Sequence, residues 1–362
     1  MKNLCFGVLL APYRLDYYNY LHANFNCDIY FQLKGFKGQL YSTDELEKQC
    51  TFKPKYLNIK RLFGDRQIVL GLKKIIQESN PDYIIVPEFS FLTIQIILIK
   101  SIYRYHYKII SQCDDSYMML VNKGFSKVHS ISRKLCIKYI DNLILVDTKA
   151  QNWYKQKYNK GIWMPIILDE HRVGIKQKTN IHKLSEKYRE TYKLENTKTL
   201  LFVGRLINVK NIQKLLEACT KLQFNYKLFI IGEGELLNQL QNYANTKNVN
   251  AYFLGKKNDD SLYAWYYTAD VFILPSTMEA FGAVTNEALI FGCNCCISQA
   301  AGSSCLIKEN ENGYLIDPMS INDITNKITK AAFLPKPQYR ISKMEYSFTD
   351  LMNNLKNEII KS

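Results

Sequence analysis

The sequence predicts an α/β protein of two doubly wound domains, and three observations carry that reading. Short apolar runs bounded by Gly or Pro alternate with stretches of helical spacing from Leu4 to Ile167, and again from Thr199 to Phe333. That is the pattern of buried parallel strands joined by crossover helices. The chain has 362 residues, which suits two such domains. Between the two series, residues 169–196 lose apolar order and fill with Lys, Glu and Thr, as a connection and a polar surface helix would. The expected division is residues 1–170, a connection over 171–196, a second domain over 197–338, and a terminal helix within 339–362.

Leu4–Leu10 reads as the first strand, closed by Ala11-Pro12, and Arg14–Asn24 follows with helical spacing. Arg14 therefore sits at a strand's carboxyl end, where open α/β sheets bind ligands. It is a candidate for an acceptor or phosphate contact, or for capping the helix. Cys27–Leu33 is the second strand, the stretch 35–60 is loop with a strand near Tyr56–Ile59, and Gln67–Gln77 reads as an amphipathic helix. Strand Tyr83–Val86 ends in Pro87-Glu88. Phe91–Tyr103 is apolar on every face, as in a helix buried on two sides or one touching a membrane. Strand Lys108–Ser111 leads to Cys113-Asp114-Asp115-Ser116. Two carboxylates at a strand end suit a divalent cation or sugar hydroxyls. Continuation into a second α/β unit favours hydroxyls, so Asp114 and Asp115 are acceptor candidates and no metal is expected. Gly124–Ile140 is a basic amphipathic helix, and strand Leu143–Val146, helix Thr148–Tyr158 and strand Ile162–Ile167 complete the domain.

A polar helix over Ile181–Tyr192 leads into the second series. Strand Thr199–Val203 ends in Gly204-Arg205-Leu206, with Lys210-Asn211 ahead of helix Ile212–Leu222. Two cations beside a strand end suit a diphosphate, because Arg chelates phosphate oxygens bidentately and Lys adds a point charge. Strand Tyr226–Ile231 turns through Gly232-Glu233-Gly234 into helix Leu236–Thr246; glycine lets backbone approach a flat ligand. Strand Val249–Gly255 and helix Asp260–Thr268 follow. Next comes the stretch on which the reading turns: strand Val271–Leu274, a polar segment with Glu279, a helix opening near Gly282 with Glu287 inside it, and strand Cys293–Ser298. The amides around Phe281, Gly282, Ala283 and Val284 open a helix just beyond a strand's carboxyl end, a natural anion site. Carboxylates flank it on both sides. A nucleotide-type ligand is expected, with phosphate at the helix start and sugar hydroxyls on Glu279 and Glu287. Asn312-Gly313 begins the last strand, Ile321–Phe333 is a helix, and Pro335 and Pro337 break the chain before a helix over Phe348–Ile360.

The segment from Glu279 to Glu287, EAFGAVTNE, resembles the E-x7-E signature of retaining glycosyltransferases of the GT-B fold, family 4 type. The likeness extends over Leu200–Pro318, with Gly204-Arg205 and Lys210 matching a G-R-x4-K feature and Gly232-Glu233-Gly234 a G-x-G loop near the base. Pro12-Tyr13-Arg14, Asn19 and Leu21 match an opening found in some members. The resemblance implies two facing Rossmann-like domains with a cleft between them, and a terminal helix that returns to the first domain. It implies a nucleotide-diphosphate sugar as donor, with Arg205 and Lys210 on the diphosphate, Glu287 on the ribose and Glu279 on the donor sugar. It also implies an acceptor bound by the first domain, often lipid-linked in bacterial surface-polysaccharide enzymes. Relatives place a histidine near the strand end where this chain has Asp114 and Asp115. Same-fold epimerases and inverting transferases need a placed catalytic base that this pattern does not supply.

Charge narrows the partners. The net charge is +15, which points to anionic ligands or surfaces or to a lysine-rich solvated exterior. The basic residues are spread over both halves rather than gathered into a nucleic-acid module, so nucleic acid is not expected. Residues 1–170 hold 24 Lys and Arg against 15 Asp and Glu, concentrated in Lys53–Lys74 and Lys123–Lys138 among apolar residues such as Phe52, Phe63, Phe125, Ile131 and Leu135. Cations mixed with apolar side chains suit peripheral binding to an anionic membrane. The ten cysteines lack framework spacing and read as small buried hydrophobes. The opening residues make a poor secretion signal and no apolar run spans a bilayer, so a cytoplasmic location, peripheral on the inner membrane face, is expected.

Overall fold

The structure, a computed structural model, describes residues 2–36, 41–61, 67–121, 127–172, 175–335 and 341–361. It divides into two compact units, Met1–Ile166 with Phe348–Ser362, and Ile167–Ser347.

The first unit runs β1 (Asn3–Gly7), α1 (Leu15–Phe25), β2 (Cys27–Phe31), α2 (Thr43–Glu47), β3 (Lys55–Tyr56), β4 (Ile59–Arg61), β5 (Gln67–Val69), α3 (Leu72–Ser79) and β6 (Tyr83–Pro87). It continues through α4 (Phe91–Tyr103), β7 (Lys108–Cys113), α5 (Tyr117–Val121), α6 (Lys127–Cys136), β8 (Asn142–Leu145), α7 (Thr148–Tyr158) and β9 (Ile162–Trp163). Its parallel sheet has the order β3-β2-β1-β6-β7-β8-β9. The apolar runs are strands because both faces are covered: Leu4, Ile84, Ile109 and Leu143 are fully buried. The order reverses direction between β1 and β6, which opens a crevice at their carboxyl ends.

Several expectations change here. Gln67–Gln77 is not one helix. Gly71 at φ +74° breaks it, so Gln67–Val69 pairs antiparallel with Ile59–Arg61 and the helix starts at Leu72. Of Ile162–Ile167, Ile162 and Trp163 form the strand beside β8, and Met164 N donates to Leu145 O at 2.9 Å just beyond them. The start of the expected helix over Gly124–Ile140, with Lys123 and Phe125, lies outside the described residues, as do Phe63 and Pro337.

The second unit runs α8 (Ile175–Thr191), β10 (Lys198–Val203), α9 (Ile212–Cys219), β11 (Tyr226–Ile231), α10 (Leu237–Thr246), β12 (Ala251–Phe253) and α11 (Asp259–Thr268). It closes with β13 (Val271–Leu274), α12 (Val284–Ile290), β14 (Asn294–Ser298), β15 (Gly313–Ile316) and α13 (Ile321–Ala332). Its parallel sheet, β12-β11-β10-β13-β14-β15, is the doubly wound order with its switch point between β10 and β13. The stretch 171–196 is more than a connection. Its helix α8 starts six residues earlier than expected and packs on α11, where Tyr188 stacks on Trp265 at 4.5 Å and Thr268 Oγ1 donates to Ser185 Oγ at 2.9 Å. The terminal helix α14 (Phe348–Lys361) buries Leu351, Met352, Leu355 and Ile359 and lies with the first unit, where Tyr20 donates to Asn353 at 2.6 Å.

Candidate active site

In the second unit the switch point gathers the residues that the sequence singled out. The chain leaves β10 through Gly204 and Arg205 and makes a single turn over Asn208–Lys210 before α9. That loop lies directly on the one after β11. A Cβ at Gly232 would stand 1.9 Å from the Gly204 carbonyl oxygen, and Leu206 N donates to Glu233 O at 2.9 Å. Only glycine fits at that approach, which is why the G-x-G turn is needed for packing before any ligand is considered. Arg205 is exposed, with no ion-pair partner recorded among the described residues, so its fork is available for a bidentate anion. Glu233 is also exposed.

The segment after β13 closes over this loop: Thr277 N donates to Val209 O at 2.9 Å, and Asn211 Nδ2 reaches Pro275 O at 3.2 Å and Pro318 O at 2.7 Å. The result is a direct ion pair, Lys210 Nζ donating to Glu279 Oε2, with side chains only 13% and 17% exposed. Gly282 then turns the chain at φ +92° in a place without room for a side chain, since a Cβ would meet Leu274 Cδ2 at 2.7 Å. Its neighbour Phe281 is buried, so only its backbone could meet a ligand. Helix α12 begins at Val284, later than expected. Its first backbone bonds run from Thr285 to Gly282 and from Asn286 to Ala283, both at 3.0 Å, so the amides of Gly282, Ala283 and Val284 precede them.

Glu287 lies one turn inside that helix. Its Oε2 is buried with no hydrogen-bond partner, and so is the hydroxyl of Tyr266 beside it. Burial pushes the Glu287 carboxyl up to about 7, against the smaller opposing pull of the Tyr266 hydroxyl and the Arg172 charge. A buried carboxylate oxygen without a donor is one that a ligand hydroxyl would satisfy. Arg172 and Tyr266 were not foreseen, because nothing in their local sequence marks them as neighbours of Glu287. Tyr266 looks like any core aromatic of an amphipathic helix.

The three first-unit candidates separate. Arg14 is buried and pairs with Asp114 at the carboxyl ends of β1 and β7. Asp115 is buried elsewhere: Arg133 stands 3.5 Å away and the Tyr154 hydroxyl donates to it at 3.1 Å. Successive residues of an extended segment face opposite ways, so the two carboxylates part, Asp114 to Arg14 and Asp115 to Arg133 and Tyr154, and Asp115 is structural. Arg14 does not cap a surface helix; its guanidinium lies inside. Beside it stands a residue that was not singled out, Glu88, whose only sequence signal was its place after Pro87 at a strand end.

Comparison with known proteins bears on both units. Residues 185–347, all within the second unit, match the family model described as glycosyl transferases group 1. An uncharacterized glycosyltransferase of Methanocaldococcus jannaschii is 35% identical over 134 residues, 36% of this chain and 34% of its own. The Escherichia coli UDP-Gal:α-D-GlcNAc-diphosphoundecaprenol α-1,3-galactosyltransferase is 27% identical over 216 residues, 56% of this chain and 49% of its own. The chain thus spans about a third and about half of these two relatives. The crystal structure of Anabaena HepE with UDP and glucose superposes with a TM-score of 0.73 over 100% of both chains, at 15% identity. The fold is GT-B.

Proposed function

We propose that the protein is a retaining, metal-independent glycosyltransferase, family 4 type, that moves a sugar from a nucleotide-diphosphate sugar to a glycan or lipid-linked acceptor in surface-polysaccharide biosynthesis. The observation that supports this reading best is one constellation at the second unit's switch point. It comprises Arg205, exposed and with no ion-pair partner among the described residues, the Lys210–Glu279 ion pair, and Glu287, whose buried Oε2 has no hydrogen-bond partner there. Each is chemically matched to part of a nucleotide sugar. Ribose hydroxyls supply the donors that Glu287 lacks. The diphosphate receives a bidentate fork from Arg205 and a point charge from Lys210. Glu279, released as Lys210 turns to phosphate, accepts from hydroxyls of the donor sugar.

The chemistry then needs little else. As the bond from anomeric carbon to phosphate oxygen breaks, negative charge grows on the diphosphate. Arg205, Lys210 and the amides preceding α12 stabilise it where it develops. The acceptor hydroxyl attacks on the leaving-group face, its proton passing to a phosphate oxygen, so the anomeric configuration is kept without an enzymic nucleophile.

The lipid-linked acceptor has support in the E. coli relative, whose name specifies an undecaprenol diphosphate. No described helix is long and apolar enough to cross a membrane. Peripheral attachment is supported by α4 and α6, which pack together. Leu98 and Ile102 on α4, Ile131 and Leu135 on α6 and Tyr139 in the turn after it are more than half exposed, with Lys134 and Lys138 exposed among them. The expected contribution of 53–74 is smaller, because Phe52 is buried and Lys55 is tied to Asp28 at 2.7 Å. Arg133 is likewise spent on Asp115.

Thermal stabilisation by a panel of UDP-, GDP- and ADP-sugars tests the reading. One nucleotide class should stabilise the protein. Stabilisation by none would count against a transferase and return the basic surface to other ligands.

A further inference from the structure

The crevice of the first unit holds a cavity of about 260 Å³ at the carboxyl ends of β1, β6 and β7, lined by Gly7, Tyr13, Arg14, Glu88, Ser90 and Asp114 among others. It is smaller than a drug-sized pocket, about 300–1,000 Å³, and suits a single small ring. Its polar groups are unevenly committed. Arg14 is used: it pairs with Asp114, and the Gln112 amide, oriented to face it, accepts from Nε at 3.3 Å and Nη2 at 3.0 Å. Glu88 is not. Its backbone is fixed, with φ at +46°, its N–H donating to Gln112 O at 2.7 Å, and its carbonyl accepting from Ser111 Oγ at 2.8 Å and Thr93 Oγ1 at 3.0 Å. Its carboxylate has no hydrogen bond or ion pair recorded among the described residues and lines the cavity.

We propose that this crevice is the subsite for the terminal sugar of the acceptor, that it takes an uncharged sugar, and that the Glu88 carboxylate receives one of that sugar's hydroxyls. The inference rests on the transferase reading for the word acceptor, but the binding chemistry stands on the cavity itself. A phosphorylated or uronic sugar would have to compete with Asp114 for Arg14 and would face the carboxylate of Glu88 at close range. A neutral ring instead offers hydroxyl donors to Glu88 and an acceptor to the Tyr13 hydroxyl.

The same geometry gives the subsite a pH dependence. Burial raises the Glu88 carboxyl to about 7, with Asp115 and Asp114 raising it further and Arg133 and Arg14 pulling it down. The nearby tyrosines, Tyr13 and Tyr18, are themselves pushed up and stay neutral. A bound hydroxyl donating to the carboxylate favours the ionised form. Affinity should therefore rise as pH increases toward 7 and level off above it.

Saturation-transfer NMR on the full chain, with methyl glycosides of glucose, galactose, N-acetylglucosamine and N-acetylgalactosamine as probes and methyl glucuronide and glucose 1-phosphate as charged comparators, tests this. At least one neutral glycoside should bind, more tightly at pH 8 than at pH 5.5, and more tightly than either charged probe. Glu88→Ala should weaken it roughly tenfold, and Glu88→Gln should abolish the pH dependence while circular dichroism stays unchanged. Binding of no neutral glycoside, tighter binding of the charged probes, or an unaltered pH profile in Glu88→Gln would each overturn the proposal. Stabilisation of the unmutated protein by nucleotide sugars reads the other unit. Nucleotide binding without glycoside binding sinks this inference alone, and glycoside binding without nucleotide binding sinks the transferase reading and the acceptor role with it, leaving only a neutral-sugar site.

Discussion

Replacing Glu287 by Gln should make the ligand-free protein more stable and the enzyme worse. The carboxyl titrates at about 7 in the folded chain against an ordinary 4.5. A carboxyl raised on folding holds its proton longer in the native state, so stability falls as pH rises from about 4.5 through 7 and stays at its lower value above that. The shift corresponds to an upper limit on the order of 3 kcal/mol at pH 8. Relaxation around a buried carboxylate would reduce that, so we expect a gain of about 1–3 kcal/mol for Glu287→Gln at pH 8 and little at pH 4.5. For a domain of this size that is several degrees in Tm, roughly 2–10 °C. The raised Glu88 carboxyl is common to both proteins and cancels in the difference. The assay is thermal unfolding of both proteins from pH 4.5 to 8.5, reading the transition of the second unit, together with titration of the matching nucleotide. Nucleotide affinity should fall about tenfold or more, because the amide cannot receive two ribose hydroxyls as a carboxylate does. A stability difference that does not grow with pH, or an unchanged nucleotide affinity, would refute the reasoning.

Other perturbations separate the remaining roles. Arg205→Ala should lower kcat/KM by on the order of 2 kcal/mol, about thirtyfold, with unfolding unchanged because the side chain is exposed, with no ion-pair partner among the described residues. Lys210→Ala should lose as much activity and also about 1–3 kcal/mol of stability, since it strands the largely buried Glu279; adding Glu279→Gln should restore the stability and not the activity, and denaturant unfolding checks both. Glu279→Gln alone should depress kcat more than nucleotide affinity, and EDTA should leave turnover intact, with strong inhibition reopening the question of a metal. Liposome flotation should show binding to anionic vesicles at low salt that weakens at high salt, and that falls further in an Ile131→Ser, Leu135→Ser double variant; failure to float at low salt would remove the membrane from the picture.

The fold was legible because its strands are buried on both faces and its breaks are marked by Gly and Pro, so Val271–Leu274 or Thr199–Val203 could be placed within a residue or two. What failed was local. The run after Gln67 has helical spacing, and only a glycine conformation at Gly71 decides that its first three residues pair as a strand. The helix α8 is polar in sequence because the residues that meet α11, His182, Ser185 and Tyr188, are themselves polar or amphipathic and leave no apolar periodicity. At the candidate site Lys210 and Glu279, which belong to two motifs far apart in the chain, meet as an ion pair. Residues that matter by virtue of tertiary neighbours did not show themselves. Glu88 is a lone acid after a proline, Tyr266 a core aromatic, and the divergence of Asp114 from Asp115 depends on which face of the chain meets Arg14 and which meets Arg133.

The central claim is that the second unit's switch point holds a nucleotide sugar, and a crystal structure with the stabilising nucleotide sugar bound tests it most directly. We expect ribose hydroxyls within hydrogen-bond distance of Glu287, the diphosphate on Arg205 and Lys210, and the Lys210–Glu279 pair opened to admit it. A nucleotide bound elsewhere, or bound there with Glu287 still lacking a partner, would contradict the claim.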